Sequence, residues 1–431
     1  MFCSLLKRNL DETHLQRDLA SLAGEGSIFG GSAAAKLERL RAEIEPLSCR
    51  YDVVVANPPY MGSSNMNGWV SKWVKKNYPI AKSDLCTCFF NRAQRLAGAD
   101  GYISMITASS WMFISSFEKF RKQLLSEGSI CSMIQQSTHG YAGVTVPTTM
   151  FAYACRRLGV IGSYIRLEDF DRPQWQEPRA LEALADPDCG WFYRTAARDF
   201  AGIPGTPVVY WATKGVLDAF KNGVPISSIG QPRQGLATGE NARFVRQWWE
   251  VSHAKEHFDC PSIEESIKSG AKWFPYNKGG EFRKWYGNND CVINWKNGGE
   301  DVRAFPGSVI RNPQSFFKPC ITWSKISSGS IAFRYKPAGH VFDVAGTSIF
   351  AGEGELKYLQ AACNSSVILR IAGMLSPTLN FEVGQIATYP ILFDERRGPD
   401  IRDLVAEERY LSKSDWDAFE ISWDFRRHPL L

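Results

Sequence analysis

Residues 51–56 (YDVVVA) form an apolar, valine-rich run that stops abruptly at Asn57-Pro58-Pro59-Tyr60. Three consecutive valines without polar alternation read as a parallel strand buried on both faces of a sheet. Neither proline can donate to a ladder, so the strand ends there and a loop follows. Parallel strands need crossover helices, and the downstream pattern supplies them. The spacing predicts a helix over Leu85–Ala97, a strand at 101–107 (GYISMIT), a helix at 116–125 and strands at 130–135 and 148–155. Strands alternating with helices place this part of the chain in the α/β class.

The alternation fades beyond about residue 160 into irregular sequence rich in Pro, Asp and aromatics. Short β-branched or aromatic runs such as IAFRY and FDVAGTSIF follow between 225 and 350, separated by Gly, Asn and Ser turns. A last helix at about 356–374 and a charged tail close the chain. Before the strand, the first fifty residues read as two helices around a Gly-rich break at 24–31. A length of 431 residues calls for at least two cores. The expected organisation is an α/β domain at 1–160, a connector at 161–225, a β-rich domain at 226–395 and the tail at 396–431.

An apolar share of 44% and a charged share of 22% exclude a disordered chain. No apolar run approaches the roughly 18 to 20 residues that span a bilayer, and the first 25 residues carry charges where a signal peptide needs an apolar core. The chain therefore reads as cytoplasmic, without a membrane partner. Its 11 cysteines are scattered and none has C-x-x-C spacing, as for buried free thiols in a reducing compartment. His253 and His257 lie near Cys260, but a solvated helix face accounts for them, and no metal site is expected.

The net charge of +5 is concentrated. Residues 272–336 carry 11 Lys+Arg against 4 Asp+Glu, interleaved with thirteen aromatics that include Trp273, Tyr276, Trp285, Tyr286, Trp295 and Trp323. Cations mixed with aromatic faces suit a nucleic-acid surface. The alternative is an aromatic β core with solvated lysines. On the first reading, Lys278, Arg283, Lys284, Arg303, Arg311 and Lys325 face DNA.

At the carboxyl edge of an open α/β sheet, where such folds bind ligands, Asn57-Pro58-Pro59-Tyr60 presents a carboxamide, backbone carbonyls and an aromatic ring. That set fits methylation of the exocyclic amine of adenine, a poor nucleophile because its lone pair is delocalised into the ring. The Asn57 side-chain oxygen and the Pro58 carbonyl would each accept an amine proton, drawing the nitrogen toward tetrahedral geometry. Tyr60 would stack on a base taken out of the duplex. The alternative is a plain Pro-Pro strand terminator beside a buried aromatic.

At this motif the sequence resembles the class γ N6-adenine DNA methyltransferases, whose catalytic motif is NPPY after a hydrophobic strand. The resemblance extends through Asp84, Leu85 and Phe89, Gly101 to Ile103, and Thr107 to Trp111, then to GLATGEN at 235–241, WFPYNKGGEFRKWYGN at 273–288, SPTLNF at 376–381 and YPI at 389–391. It is greatest to the large adenine methyltransferases of bacterial phage-exclusion (BREX) systems and their restriction-linked relatives, and covers about residues 50–395. The resemblance implies a Rossmann-like catalytic sheet followed by a target-recognition domain. It also implies S-adenosyl-L-methionine as methyl donor, held by Asn57 and by Phe89 against its adenine, and double-stranded DNA as partner alongside possible further defence subunits. The family's Gly-rich cofactor turn and following acidic strand end are not evident upstream of the motif; Gly24 to Gly31 has no buried strand before it. The expectation is the central to C-terminal part of a longer enzyme, active in sequence-specific adenine methylation or else a DNA-binding fragment without independent catalysis.

Overall fold

The structure, a computed structural model, describes residues 42, 46–141, 145–327, 329–375 and 380–431. The helices and Gly-rich break expected before the first strand, and SPTL at 376–379, lie outside the described residues. The chain divides into two compact units, Met1–Trp211 and Ala212–Leu431.

The first unit is built on a six-stranded mixed sheet: β1 (Val53–Ala56), β2 (Tyr102–Ala108), β3 (Ser129–Gln136), β4 (Thr148–Ala154), β5 (Gly162–Leu167) and β6 (Phe192–Thr195). The strand order is β1-β2-β4-β3-β5-β6. β1 is parallel to β2 and β3 to β5, while β4 is antiparallel to both of its neighbours and β6 to β5. Four strands therefore share one direction, and their carboxyl ends define one sheet edge. Two helices follow β1: α1 (Gly68–Asn77) and α2 (Leu85–Ala97). α3 (Glu118–Glu127) precedes β3, and α4 (Pro173–Ala185) precedes β6.

α2 begins where the Asp84 carboxylate accepts from the Cys86 amide at 2.9 Å, and it stops at Gly98, whose φ of +71° suits glycine. Its inner face carries Phe90, which packs edge-on to Phe120 and Tyr153 at centroid distances of 5.5 and 5.1 Å. Trp111 joins the same cluster through Phe120 and Phe151. Burying rings of this size contributes several kcal/mol and fixes α2 against the sheet.

Two expectations need correction here. β1 is not buried on both faces: among the described residues it is the edge strand, and Val53 and Val55 are 56% and 74% exposed. A β-branched run specifies a strand, whereas burial depends on neighbours that the run does not encode. Residues 161–225 are not an irregular connector either. They carry β5, α4 and β6, and the unit boundary falls at Trp211 rather than at 160 or 225.

The second unit is β-rich, as its short runs suggest. One sheet has β9 (Val245–Gln247), β10 (Trp273–Asn277), β11 (Cys291–Asn294) and β14 (Val341–Phe342) in the order β14-β10-β11-β9. Another has β8 (Gln231–Arg233), β12 (Cys320–Thr322), β13 (Arg334–Lys336) and β15 (Ser348–Phe350) in the order β13-β12-β15-β8. β7 (Val224–Pro225) pairs with β16 (Pro390–Ile391). The core includes Leu236, Phe274, Tyr276, Trp295, Phe317 and Phe342. The helix expected at 356–374 is broken at Ser365 into α5 (Glu353–Asn364) and a second helix, Ser366–Leu375. It is also not the last: α6 (Gly398–Trp416) occupies the supposed tail. Arg409 anchors α6 by donating to Glu353 and Gln360 at 2.7 Å each.

Candidate active site

β1 runs straight into Asn57-Pro58-Pro59-Tyr60 at the carboxyl edge of the sheet. Asn57 is exposed, Pro58 is buried, and Pro59 and Tyr60 are half-buried. The Tyr60 hydroxyl donates to Asn57 Oδ1 at 3.2 Å. No described residue donates to the Pro58 carbonyl. The turn thus holds an amide oxygen and a backbone carbonyl side by side in sequence, with a phenol ring folded back onto the first.

The loop after the turn is clamped to the start of α2. The Met61 amide donates to Asp84 Oδ1 at 3.2 Å, and the Leu85 amide donates to the Met61 carbonyl at 3.1 Å. Ser63 donates to the Ser83 carbonyl at 2.9 Å, and Gly62 bridges Asp84. One buried carboxylate, Asp84, therefore caps α2 and fixes the turn to it. Asp84 stands out in the sequence only within a resemblance; its role as the clamp depends on a 23-residue separation that no local pattern reveals.

Burial, with Cys86 and Tyr141 nearby, pushes the Tyr60 hydroxyl up to about 12, so it remains a neutral donor. Burial beside Asp84 likewise raises the Cys86 thiol well above its ordinary value, and that of Cys88 to about 12. Neither cysteine is a thiolate nucleophile at neutral pH. The chemistry left to the turn is hydrogen-bond acceptance and stacking.

The structure brings Tyr60, Asp84 and Cys86 together and sets Phe89 one helical turn further along α2, half-buried, on a face other than that of Phe90. The six cations singled out between 272 and 336 all lie in the second unit, and five have intramolecular partners there. Lys278 pairs with buried Asp343 at 2.8 Å, Arg283 with Asp415 at 3.0 Å and Lys325 with Glu382 at 3.1 Å. Lys284 donates to the Asn364 carbonyl at 3.0 Å, and Arg303 to that of Gly298 at 2.9 Å. Arg311 is half-buried. Of the six aromatics named with them, all but Trp285 are buried. For the rings, the aromatic-core alternative is the one the structure adopts. His253 sits on a short 3-10 turn, bonded to Glu256, and His257 lies beyond that turn rather than on one helix with it.

Residues 29–140, which include the turn and α2, match the Eco57I restriction-modification methylase family. Over 398 residues the chain is 39% identical to the adenine-specific methyltransferase PglX of Lacticaseibacillus casei (strain Zhang), covering 89% of this chain and 33% of that protein. In sequence this chain is similar to the adenine-specific methyltransferases. The adenine-specific methyltransferase BrxX of Escherichia coli O9:H4 (strain HS) is 33% identical over 422 residues, covering 96% of this chain and 33% of BrxX. The chain thus spans about a third of the length of these relatives. The fold also matches the Type IIL restriction-modification enzyme MmeI, solved in complex with DNA (TM-score 0.55, 14% identity, 89% of this chain and 52% of that one). It matches DrdV from a DrdV–DNA complex as well (TM-score 0.52, 11% identity, 87% of this chain and 45% of that one). Among the described residues no helix is long and apolar enough to cross a membrane.

Proposed function

We propose that this chain is the part of an adenine-specific DNA methyltransferase, of a phage-defence or restriction-modification system, that carries the catalytic turn and a target-recognition region. The observation that carries this reading is the turn itself: a parallel strand delivers Asn57 Oδ1 and the Pro58 carbonyl to the sheet edge, both able to accept, with Tyr60 beside them. The adenine amine donates one proton to each acceptor, so its nitrogen regains a localised lone pair. The Tyr60 ring stacks on the flipped base, which pays for part of its unstacking. S-Adenosyl-L-methionine, when bound, supplies an electrophilic methyl group. Asn57 and the half-buried ring of Phe89 are the described residues suited to hold it, while the Asp84 carboxylate is engaged by the Met61 and Cys86 amides.

Transfer of a labelled methyl group from S-adenosyl-L-methionine to adenine in duplex DNA tests the reading. Asn57→Ala removes an acceptor needed chiefly in the transition state, so kcat falls by about a hundredfold or more while DNA affinity is kept. Unchanged transfer by Asn57→Ala would show the mechanism to be wrong. A second reading, a DNA-binding segment without independent catalysis, is supported by the chain's one-third share of its relatives; it expects DNA binding, no label transfer by the wild type and no micromolar S-adenosyl-L-methionine binding in calorimetry.

A further inference from the structure

Between Asp52 and Asp84 the chain has 31 residues, four of them lysines (Lys72, Lys75, Lys76 and Lys82), with no aspartate or glutamate. This stretch contains both the catalytic turn and α1. Its ends are tied together at the base, because the Ser63 amide bonds the Ser83 carbonyl and Gly62 bridges Asp84. Residues 63–83 therefore leave and rejoin the fold beside Tyr60 and Met61.

α1 is amphipathic. The Asn67 side chain caps it by accepting from the Val70 amide at 2.9 Å, and Met66, Val70, Val74 and Tyr78 are buried. The outer face carries exposed Lys72, Lys75 and Lys76, headed by Trp69 at 64% exposure. Lys72 has Lys75 and Lys76 at i+3 and i+4, a like-charge arrangement that weakens a helix. Three other helices each pair a surface cation: Lys122 with Glu118, Arg179 with Glu182 and Lys413 with Asp417. Among the described residues no carboxylate pairs with Lys72, Lys75, Lys76 or Lys82. Among the described residues this face is self-repelling and unneutralised, and it complements a polyanion.

We propose that the α1 face of Lys72, Lys75 and Lys76, with Lys82, grips the phosphate backbone of the DNA strand whose adenine enters the Asn57–Tyr60 turn. The proposal rests on the adenine-methylation reading and deepens it. The contact is sequence-independent: lysines are point charges that neutralise phosphates, whereas reading bases needs groups in a groove. It holds the target strand on the segment whose two ends meet beside Met61.

The test is fluorescence anisotropy of the full chain on a labelled duplex between 50 and 200 mM salt. Lys72→Gln/Lys75→Gln/Lys76→Gln is compared with Lys119→Gln/Lys214→Gln/Lys221→Gln, an equal loss of exposed charge elsewhere. Each phosphate contact contributes about 0.9 to the slope of log K against log salt, so the α1 variant has a slope shallower by about two to three, with a melting temperature no lower than wild type. The control retains the wild-type slope. If the wild type binds and the α1 variant matches it, or the control loses as much, the proposal fails while the DNA reading stands. If the wild type binds no duplex, both fail.

Discussion

The Tyr60 hydroxyl donates to Asn57 Oδ1 at 3.2 Å, and this bond occupies one of two lone-pair directions on the oxygen that an adenine amine would use. The ring and the hydroxyl therefore have separable roles. Tyr60→Phe keeps the stacking face and frees the oxygen, so methyl transfer should stay within about threefold of wild type, the scale of one neutral hydrogen bond. Tyr60→Ala removes the face and should weaken DNA with an unpaired target adenine by about 1 to 3 kcal/mol. Equal losses in both variants would assign the role to the hydroxyl instead. The pH dependence has a definite sign: burial raises the folded hydroxyl from 10 to about 12, so its contribution to stability is complete below pH 10 and is lost between 10 and 12. Neutral-pH activity owes nothing to its ionisation. That the strand ends at these four residues was legible in the sequence, because donor-free prolines after a valine run leave few backbone solutions. The bond between Tyr60 and Asn57 was not, since it depends on how the chain folds back after the second proline.

Elements were legible where a local stop and start bracket them. Asp84 and Gly98 mark both ends of α2 in the sequence, and the helix occupies Leu85–Ala97 as expected. α6 was misread as a charged tail because what orders it is remote: Arg409 reaches Glu353 and Gln360, and its guanidinium lies 3.8 Å from the centroid of the Tyr335 ring. The exposed β1 is the converse, a strand whose type is local and whose burial is not. Asp84 joins the two levels, because one carboxylate both caps α2 and holds Met61. Asp84→Ala should cost about 1 to 2 kcal/mol, the usual loss of an N-cap, in denaturant unfolding. Limited proteolysis should then cut within 61–83 sooner than in wild type, while the Phe90 cluster keeps α2 docked. An unaltered cleavage rate would mean that the backbone bonds from Ser63 and Leu85 hold the loop without Asp84.

Across the whole molecule, charge density and charge availability diverge. The stretch 272–336 has the larger cationic excess, which sequence can count, but sequence cannot show that much of it is spent internally. Lys336 is fully buried, donating to the Gly287 and Asn288 carbonyls and to Asn289, and burial next to Arg334 pulls its ammonium down to about 7. Buried Arg334 donates to the Glu281 carbonyl and the Ser324 hydroxyl. Arg283 pairs with Asp415 and lies over Trp416 at 5.0 Å, and Lys284 bonds the end of α5 at Asn364, so this pair ties the 281–289 loop to two helices of its unit. Arg283→Ala combined with Lys284→Ala should therefore act on stability first, at about 1 to 2 kcal/mol for a partly exposed ion pair and a charged hydrogen bond. The melting temperature falls, and the salt slope of DNA binding stays close to wild type. The α1 lysines should give the opposite pattern, a shallower slope without destabilisation. Calorimetry and a salt series on the two variants side by side separate these roles. A double variant that melts like wild type but has a slope shallower by about two would return Arg283 and Lys284 to the DNA surface, with their ion pairs acting only as places to wait for phosphate.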